Sequence, residues 1–423
     1  MGGFYILSNF FDKKILIYGF FCVKINHCTN NSIYKRDEQA KMKQFDIKTQ
    51  IYFGENSLDR LTELKYKKAL IIADPYVVKS GMSELITSRL DKANVTWQIF
   101  DDVIPDPPIE KISLGVMAVL DCCADVIIAI GGGSAIDSAK AIREVAVQSN
   151  QNYARPTLIA IPTTSGTGSE VTSFSVISDP ENHTKTPLAS DSLLPDEAIL
   201  DAVLVKSVPP KITADTGMDV FTHALESYVS TNNNEFSAAL AEKAIEITGS
   251  FLLRSYLDNN DTHARQKMHV ASCLAGLAFN TASLGINHSM AHQLGAAFHI
   301  PHGRANAMLL PHIIEYNSEI DKYSHLKADY PKHVRKYATI ARVLGLQNFN
   351  IVTTVRALSN WCQFMMREMD MPLSISETGV CTQEEYFKQI PAMAEAALKD
   401  TCTETNPKQP TLEEIKAIYE RLW

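Results

Sequence analysis

Residues 126–134, with the sequence VIIAIGGGS, decide the fold of the first half of this 423-residue chain. Five apolar residues without a charge predict a buried strand, and three glycines allow the tight turn that leads from a strand into a helix. The residues from Ser134 to Val147 have helical spacing, with Ser134 placed to cap the helix. The stretch therefore predicts one strand–turn–helix unit.

The same alternation of apolar runs and helical patterns extends in both directions. Further strands are predicted at 69–74, 96–100 and 157–161, and further helices at 83–92 and 112–122. Continuous apolar strands separated by helices are typical of a parallel sheet that is covered on both faces. The first half is therefore predicted to be an α/β domain with a Rossmann-like parallel sheet.

The chain changes character after Asp201. Pro209-Pro210 interrupts it, and the remainder is rich in Ala, Leu, Glu and Lys, which favour helix. We predict an α/β domain at 42–206, which opens with an edge strand at 45–53, and an all-helical domain at 207–423.

Residues 1–41 differ from the rest, because they carry six Lys/Arg against three Asp/Glu in a chain whose net charge is -8. Their longest apolar run, Ile15 to Val23, is shorter than the roughly 20 residues that cross a bilayer. No small-residue cleavage site follows it. The segment is predicted to be a disordered extension or a translation-start artefact, with Met42 as the true start.

Composition narrows the class of protein and its partners. Hydrophobic residues make up 45% and charged residues 21% of the chain, which is the balance of a globular protein. The acidic net charge argues against nucleic acid as a partner, and we predict no membrane partner. Eight scattered cysteines without a C-x-x-C pair predict a reducing, cytoplasmic location.

The glycine turn after Ile130 suits a phosphate, because free backbone N–H groups and the helix dipole favour an anion there. A tight strand–helix turn also needs glycine, so the turn alone leaves both interpretations open. A second polar loop, PTTSGTGSE at 162–170, follows the next strand at the same end of the sheet, where α/β folds bind ligands. Asp74 ends an earlier strand, from which a carboxylate can accept from ribose hydroxyls and repel a 2′-phosphate. These features favour NAD over NADP.

Histidines and one aspartate form a second pattern. Asp219 and His223 are four residues apart, as are His288 and His292, so that each pair shares a helix face. Pro301 would end the second helix and let the chain turn back at His302. Asp219, His223, His288 and His302 could form a three-nitrogen, one-oxygen site for Fe, Zn, Co or Ni, although a lone histidine is more often structural.

The residues from 42 to 423 resemble the iron-containing (group III) alcohol dehydrogenase family. The matching motifs are GGGS at 131–134, the loop at 162–170, Lys185, DVFTHALE at 219–226, and NHSMAHQLG at 287–295 with HIPHG at 299–303. The resemblance implies that Asp219, His223, His288 and His302 hold Fe(2+), or Zn(2+) in some members. His292 is expected beside the nicotinamide as the catalytic residue.

The resemblance also implies a set of residues that bind NAD(H). They are Asp74, Gly131, Gly132, Gly133, Ser134, Asp137, Thr163, Thr164, Thr167, Thr172 and Lys185.

Within the family, VPPKITADTGMD at 208–219 and IPAMAEAAL at 390–398 are similar to the 1-propanol dehydrogenases of propanediol-utilising bacteria. This likeness implies reduction of a small aldehyde such as propionaldehyde to its alcohol, a homodimer, and association with a bacterial microcompartment. Three other interpretations stay open. They are a glycerol or diol dehydrogenase, a dehydroquinate synthase-like cyclase, and a non-catalytic microcompartment module.

Overall fold

The computed structural model describes residues 44–104, 107–150, 152–179, 184–320 and 330–423. The predicted extension at 1–41 lies outside these residues.

The described strands are β1 (Gln50–Phe53), β2 (Lys68–Ala73), β3 (Thr96–Phe100), β4 (Val126–Gly131), β5 (Thr157–Pro162), β6 (Phe174–Asp179), β7 (Thr184–Ala189) and β8 (Glu197–Leu200). Six of them form one parallel sheet in the order β1-β8-β5-β4-β2-β3. The other two, β6 and β7, form a separate antiparallel hairpin. The predicted parallel sheet is confirmed, with the apolar strands at its centre.

Helices of the first half cover the sheet, and two apolar clusters bury its two faces. These helices are α1 (Pro75–Lys79), α2 (Met82–Lys92), α3 (Ile109–Cys122) and α4 (Gly133–Ser149). Every residue of β4 is buried, which explains why its run of apolar residues has no polar alternation.

The second half is helical from Pro210 onward and packs around one large apolar core. Its helices are α5 (Pro210–Val229), α6 (Glu235–Leu257), α7 (Thr262–Ala282), α8 (Ile286–Phe298), α9 (His302–Ser318), α10 (Lys332–Val343), α11 (Ile351–Glu368), α12 (Ile375–Thr378), α13 (Gln383–Lys399) and α14 (Leu412–Arg421). The predicted helical half is confirmed. Among the described helices no single one is long and apolar enough to cross a membrane, and one bent pair, α7 with α8, passes a test of length and composition.

Three details differ from the sequence-based expectation. The edge strand is only Gln50–Phe53, so the alternation at 45–49 lies outside it. The hairpin of β6 and β7 was not predicted. The prediction of Ser134 as N-cap is wrong, because α4 begins one residue earlier and its N-cap is Gly132, with an extended backbone and no side-chain bond.

Candidate active site

Asp74, the glycine turn and the loop at 162–170 lie at the carboxyl ends of β2, β4 and β5, which are adjacent strands of the sheet. After β2 the chain forms β3 on one side of β2 and then crosses over to form β4 on its other side. Ligands of open α/β sheets bind at such a switch point in strand order. Asp74 follows β2, and the glycine turn follows β4. The topology thus brings the two predicted features to one crevice.

The glycine turn needs its glycines for conformation and for space. Gly131 has a φ of +153°, and a methyl group on it would lie 2.6 Å from Cβ of Ala135 and 3.3 Å from Oδ2 of Asp74. The other carboxylate oxygen of Asp74 accepts from the backbone N–H of Val77 at 3.0 Å and caps α1. The hydrogen bond from Val77 therefore holds the Asp74 carboxylate beside the glycine turn.

Threonines of the second loop lie against the same turn. A methyl group on Gly132 would lie 3.7 Å from Oγ1 of Thr164, and one on Gly133 would lie 2.9 Å from Cγ2 of Thr167. The backbone N–H of Thr163 donates to the carbonyl of Gly131 at 2.9 Å. The start of α4 thus lies beside hydroxyls and one carboxylate, and a helix start favours an anion, which together suit a pyrophosphate and a ribose.

Asp137 and Thr172 have protein partners instead. The Asp137 carboxylate accepts from the hydroxyl of Ser169 at 2.5 Å and from the backbone N–H of Val176 at 3.0 Å. Thr172 is buried, and its hydroxyl accepts from Nζ of Lys140 at 3.2 Å. Burial lowers the pKa of Lys140 to about 8. These predicted cofactor residues belong to a buried network behind the loop, which supports the loop from the inside.

For Lys185, a predicted cofactor residue, the structure describes only the backbone. Its backbone pairs with Ser178 in the hairpin of β6 and β7. Its side chain lies outside the described part of the structure.

The second loop also contacts the helical half. Oγ of Ser165 lies 3.0 Å from Nδ1 of His269 on α7, and burial lowers the pKa of that histidine to about 4. A methyl group on Gly168 would lie 2.7 Å from Cα of Gly276, also on α7. The crevice therefore lies where the two halves meet.

Four side chains of the helical half converge on one point. Helix α5 supplies Asp219 and His223, α8 supplies His288, and α9 supplies His302. One potential ligand atom from each lies within 4.8 Å of the others. Nε2 of His288 is 3.8 Å and Nε2 of His302 is 3.6 Å from Oδ1 of Asp219. These are the four residues predicted from the sequence to bind a metal.

The chemistry of this cluster fits a cation. Nδ1 of His223 and Nε2 of His288 are buried and have no hydrogen-bond partner among the described atoms. An unsatisfied buried polar atom costs about 1–3 kcal/mol, which coordination would remove. Burial lowers the pKa of both histidines, so their nitrogen lone pairs are open. The side chain of His302 is 43% exposed, so one side of the cluster opens outward.

Two residues that support the cluster were not identified from the sequence. Oε2 of Glu226 lies 2.5 Å from Nδ1 of His288, and its carboxyl also accepts from the backbone N–H of Asn287. Burial raises the pKa of Glu226 to about 8. Nδ2 of Asn306 donates to Oδ1 of Asp219 at 2.7 Å. Such partners orient metal ligands.

His292 lies next to the cluster without belonging to it. Its ring stacks on that of His302, with centroids 5.4 Å apart, and 40% of its side chain is exposed. Nδ1 of His292 lies 2.8 Å from Oδ2 of Asp400. Sequence pattern alone does not predict this partner, because Asp400 is 108 positions away from His292.

Models of known families match both halves of the chain. The model described as iron-containing alcohol dehydrogenase matches residues 48–202, and that described as Fe-containing alcohol dehydrogenase family, C-terminal, matches 213–423.

Curated relatives and solved structures agree with these matches. A 1-propanol dehydrogenase from Citrobacter freundii is 42% identical over 387 residues, which cover 90% of this chain and 100% of the relative. An NADPH-dependent butanol dehydrogenase from Clostridium saccharobutylicum is 38% identical over 90% of this chain and 97% of its own. A crystal structure of a 1,3-propanediol oxidoreductase has a TM-score of 0.82 and 31% identity, over 90% of this chain and 100% of the other.

Proposed function

The chain belongs to the iron-containing alcohol dehydrogenase family, and from this premise we propose that it reduces short-chain aldehydes with NADH, propionaldehyde to 1-propanol among them. The observation that carries the proposal is the convergence of Asp219, His223, His288 and His302. The helix that carries Asp219 and His223 also packs against the second loop, because a methyl group on Gly166 would lie 2.8 Å from Cβ of Thr216.

Asp219, His223, His288 and His302 would hold the divalent metal, Fe(2+) or Zn(2+). When bound, the metal supplies Lewis-acid polarisation of the aldehyde oxygen, and NADH supplies the hydride. One carboxylate and three neutral imidazoles balance only one of the two positive charges, so this donor set keeps the site attractive to a developing alkoxide. Glu226 and Asn306 keep the donors oriented.

The glycine turn and its loop bind and orient the dinucleotide. Free backbone N–H groups at the start of α4 hold the pyrophosphate, with Thr164 and Thr167 alongside. Asp74 accepts from the ribose hydroxyls and repels a 2′-phosphate, which supports NAD(H) over NADP(H).

His292 exchanges a proton with the substrate oxygen. Its Nδ1 is bonded to Asp400, which leaves Nε2 for the substrate, and 40% of the side chain is exposed. A histidine that is half in solvent can be reprotonated between turnovers, which general acid catalysis requires.

A diol or glycerol dehydrogenase is the second candidate, and the structural likeness to a 1,3-propanediol oxidoreductase favours it. A dehydroquinate synthase-like cyclase is disfavoured. Such a chemistry needs cations for a phosphorylated carboxylate, and Arg304 beside the cluster is already paired with Asp215, at 3.1 and 2.8 Å. The proposal also includes a cytoplasmic homodimer associated with a bacterial microcompartment.

The test is oxidation of NADH by anaerobically purified protein, stripped of metal and reloaded with Fe(II) or Zn(II). Propionaldehyde is offered in one series, and glycerol or 1,3-propanediol with NAD in another. We expect metal-dependent turnover, fastest with propionaldehyde. His223→Ala should lose both bound metal and turnover, whereas His263→Ala, on the exposed face of α7, should keep both. Full activity of His223→Ala with stoichiometric metal would contradict the assignment.

A further inference from the structure

A segment near the C-terminus runs alongside the helix that carries His288 and His292. We name residues 400–406 the C-terminal strap. Its hydroxyls reach α8 and the turn before it: Oγ1 of Thr403 donates to Oγ of Ser289 at 2.8 Å, and Oγ1 of Thr405 donates to the carbonyl of Leu284 at 2.6 Å. The strap is thereby fixed to the first turns of α8.

The far end of the strap is fixed as well. Oδ1 of Asn406 accepts from the backbone N–H of Ile286 at 3.2 Å, and its Nδ2 donates to Oδ1 of Asn317 at 2.8 Å. Asn406 is 1% exposed. The bonds along the strap give it one register against α8, with Asp400 opposite His292.

The Asp400 carboxylate is itself pinned by two bonds. Oδ1 accepts from the backbone N–H of Cys402 at 2.9 Å, and Oδ2 faces Nδ1 of His292 at 2.8 Å. Burial alone would raise the pKa of Asp400, but these bonds outweigh burial and hold the pKa below its ordinary value. An ionised carboxylate only accepts, so the proton between the two groups belongs to Nδ1.

The ring of His292 has little freedom left. It stacks on His302 at an interplanar angle of 18°, and the bond to Asp400 fixes its rotation within that stack. A histidine whose Nδ1–H is donated to a carboxylate is held in a single tautomer, with Nε2 as the acceptor.

We propose that Asp400 is a positioning residue for the reaction: it holds His292 in the Nδ1–H tautomer and directs all proton exchange with the substrate oxygen through Nε2. This inference rests on the proposed function for the identity of the substrate. The tautomer that it assigns to His292 does not depend on that function.

The first experiment reads the tautomer directly, by nitrogen NMR of histidine-labelled protein in its metal-free and Zn(II)-loaded forms, with His292→Gln to assign the signals. We expect a protonated Nδ1 and an unprotonated Nε2 for the signals that His292→Gln removes. Nε2–H tautomer signals assigned to His292 in the wild-type protein would overturn the proposal, whatever the behaviour of Asp400→Asn.

The second experiment compares Asp400→Asn with Glu404→Gln, which makes the same change of charge at an exposed position of the same strap. In Asp400→Asn we expect a mixture of tautomers and a kcat lower by about 10- to 100-fold, part of the 10²–10⁴ that general acid–base catalysis contributes. The KM for NADH and the metal content should stay within about twofold, because the residues that carry those functions lie elsewhere.

The solvent deuterium isotope effect on kcat distinguishes a positioning role of Asp400 from a loss of folded protein in Asp400→Asn. It should rise in Asp400→Asn, because the proton step slows, and stay unchanged in Glu404→Gln. Equal kcat in the two variants, or unchanged His292 signals in Asp400→Asn, would overturn the role of Asp400. Absence of NADH turnover in the wild-type protein would instead overturn the proposed function, and the nitrogen signals would still decide the tautomer.

Discussion

Asn306 donates from Nδ2 to Oδ1 of Asp219 at 2.7 Å, while its own Oδ1 accepts from Asn287 at 2.9 Å. Asn306 and Asn287 are fully buried, and Asn287 directly precedes His288 in the chain. The bond therefore ties the carboxylate of α5 to the turn of α8 that carries a histidine of the cluster. A substitution of Asn306 should therefore change the affinity for the metal ion as well as the stability of the fold.

Asn306→Ala is expected to weaken metal binding by about 10- to 100-fold, the usual effect of losing a partner of a metal ligand. Competition for Zn(II) with a chromophoric chelator measures the affinity. Asn260→Ala, in the exposed loop between α6 and α7, is the matched control and should bind as the wild-type protein does. Equal affinities in the two variants would show that Asn306 does not orient Asp219.

Cofactor preference is expected to depend on Asp74. Asp74→Ser keeps a side-chain oxygen that can cap α1 but removes the charge that repels a 2′-phosphate. The ratio of kcat/KM for NADH to that for NADPH should fall by about tenfold or more, since one tenfold step is only about 1.4 kcal/mol. Steady-state rates with both cofactors measure it, with Asp121→Ser, at an exposed position of α3, as control. An unchanged ratio would remove Asp74 from the cofactor site.

Close backbone packing joins the second loop to the helical half. A methyl group on Gly276 would lie 2.8 Å from the carbonyl oxygen of Gly168 and 3.0 Å from its Cα. In Gly276→Ala this overpacking should lower the free energy of unfolding by about 1–3 kcal/mol. That loss outweighs the roughly 1 kcal/mol by which alanine stabilises a helix relative to glycine. The KM for NADH should rise severalfold, because Gly168 belongs to the loop.

Urea denaturation and initial rates measure both effects. In the control, Gly249→Ala, the new methyl group meets the side chain of Leu344, which can move aside. This variant should lose less stability and keep its KM. A KM for NADH that is unchanged in Gly276→Ala would separate the loop from cofactor binding.

Glu170 makes stability depend on pH. It is 1% exposed, and burial raises its pKa to about 7. Between about pH 4.5 and 7 the unfolded chain releases this proton and the folded chain keeps it, so the free energy of unfolding falls as pH rises through that window. Glu170→Gln removes this dependence.

Unfolding in urea at pH 5 and pH 7.5 tests the prediction. From the lower to the higher pH, the variant should gain on the order of 2 kcal/mol relative to the wild-type protein. Glu395→Gln, on the exposed face of α13, is the control and should gain nothing. A parallel fall in the wild-type protein and Glu170→Gln would contradict the role of Glu170.

Local patterns were sufficient where a single element decides the outcome. The run at 126–130 predicted a buried strand because burial on both faces demands apolar residues, and the pairs Asp219/His223 and His288/His292 were predicted from helix periodicity. The wrong N-cap at Ser134 shows the limit, since a serine before a helical pattern looks like a cap even when glycine begins the turn.

Partners from distant elements could not be predicted in this way. Asp400 follows a helix whose pattern says nothing about α8, and Glu226 looks like any carboxylate of a helix until packing buries it against His288. The antiparallel hairpin was missed because its segment lacks the continuous apolar run of the sheet strands. Tertiary packing, and not local preference, decides these features.

The position of the C-terminal strap in the chain has a consequence for folding during synthesis. A ribosome makes the chain from the N-terminus, and early segments fold while later ones are still being made. The cluster residues, from Asp219 to His302, are made before Asp400, which lies about a hundred residues further along the chain. The contact on His292 therefore forms after the cluster residues are in place, so that a product truncated before Asp400 would carry the cluster without the aspartate that orients the neighbouring imidazole.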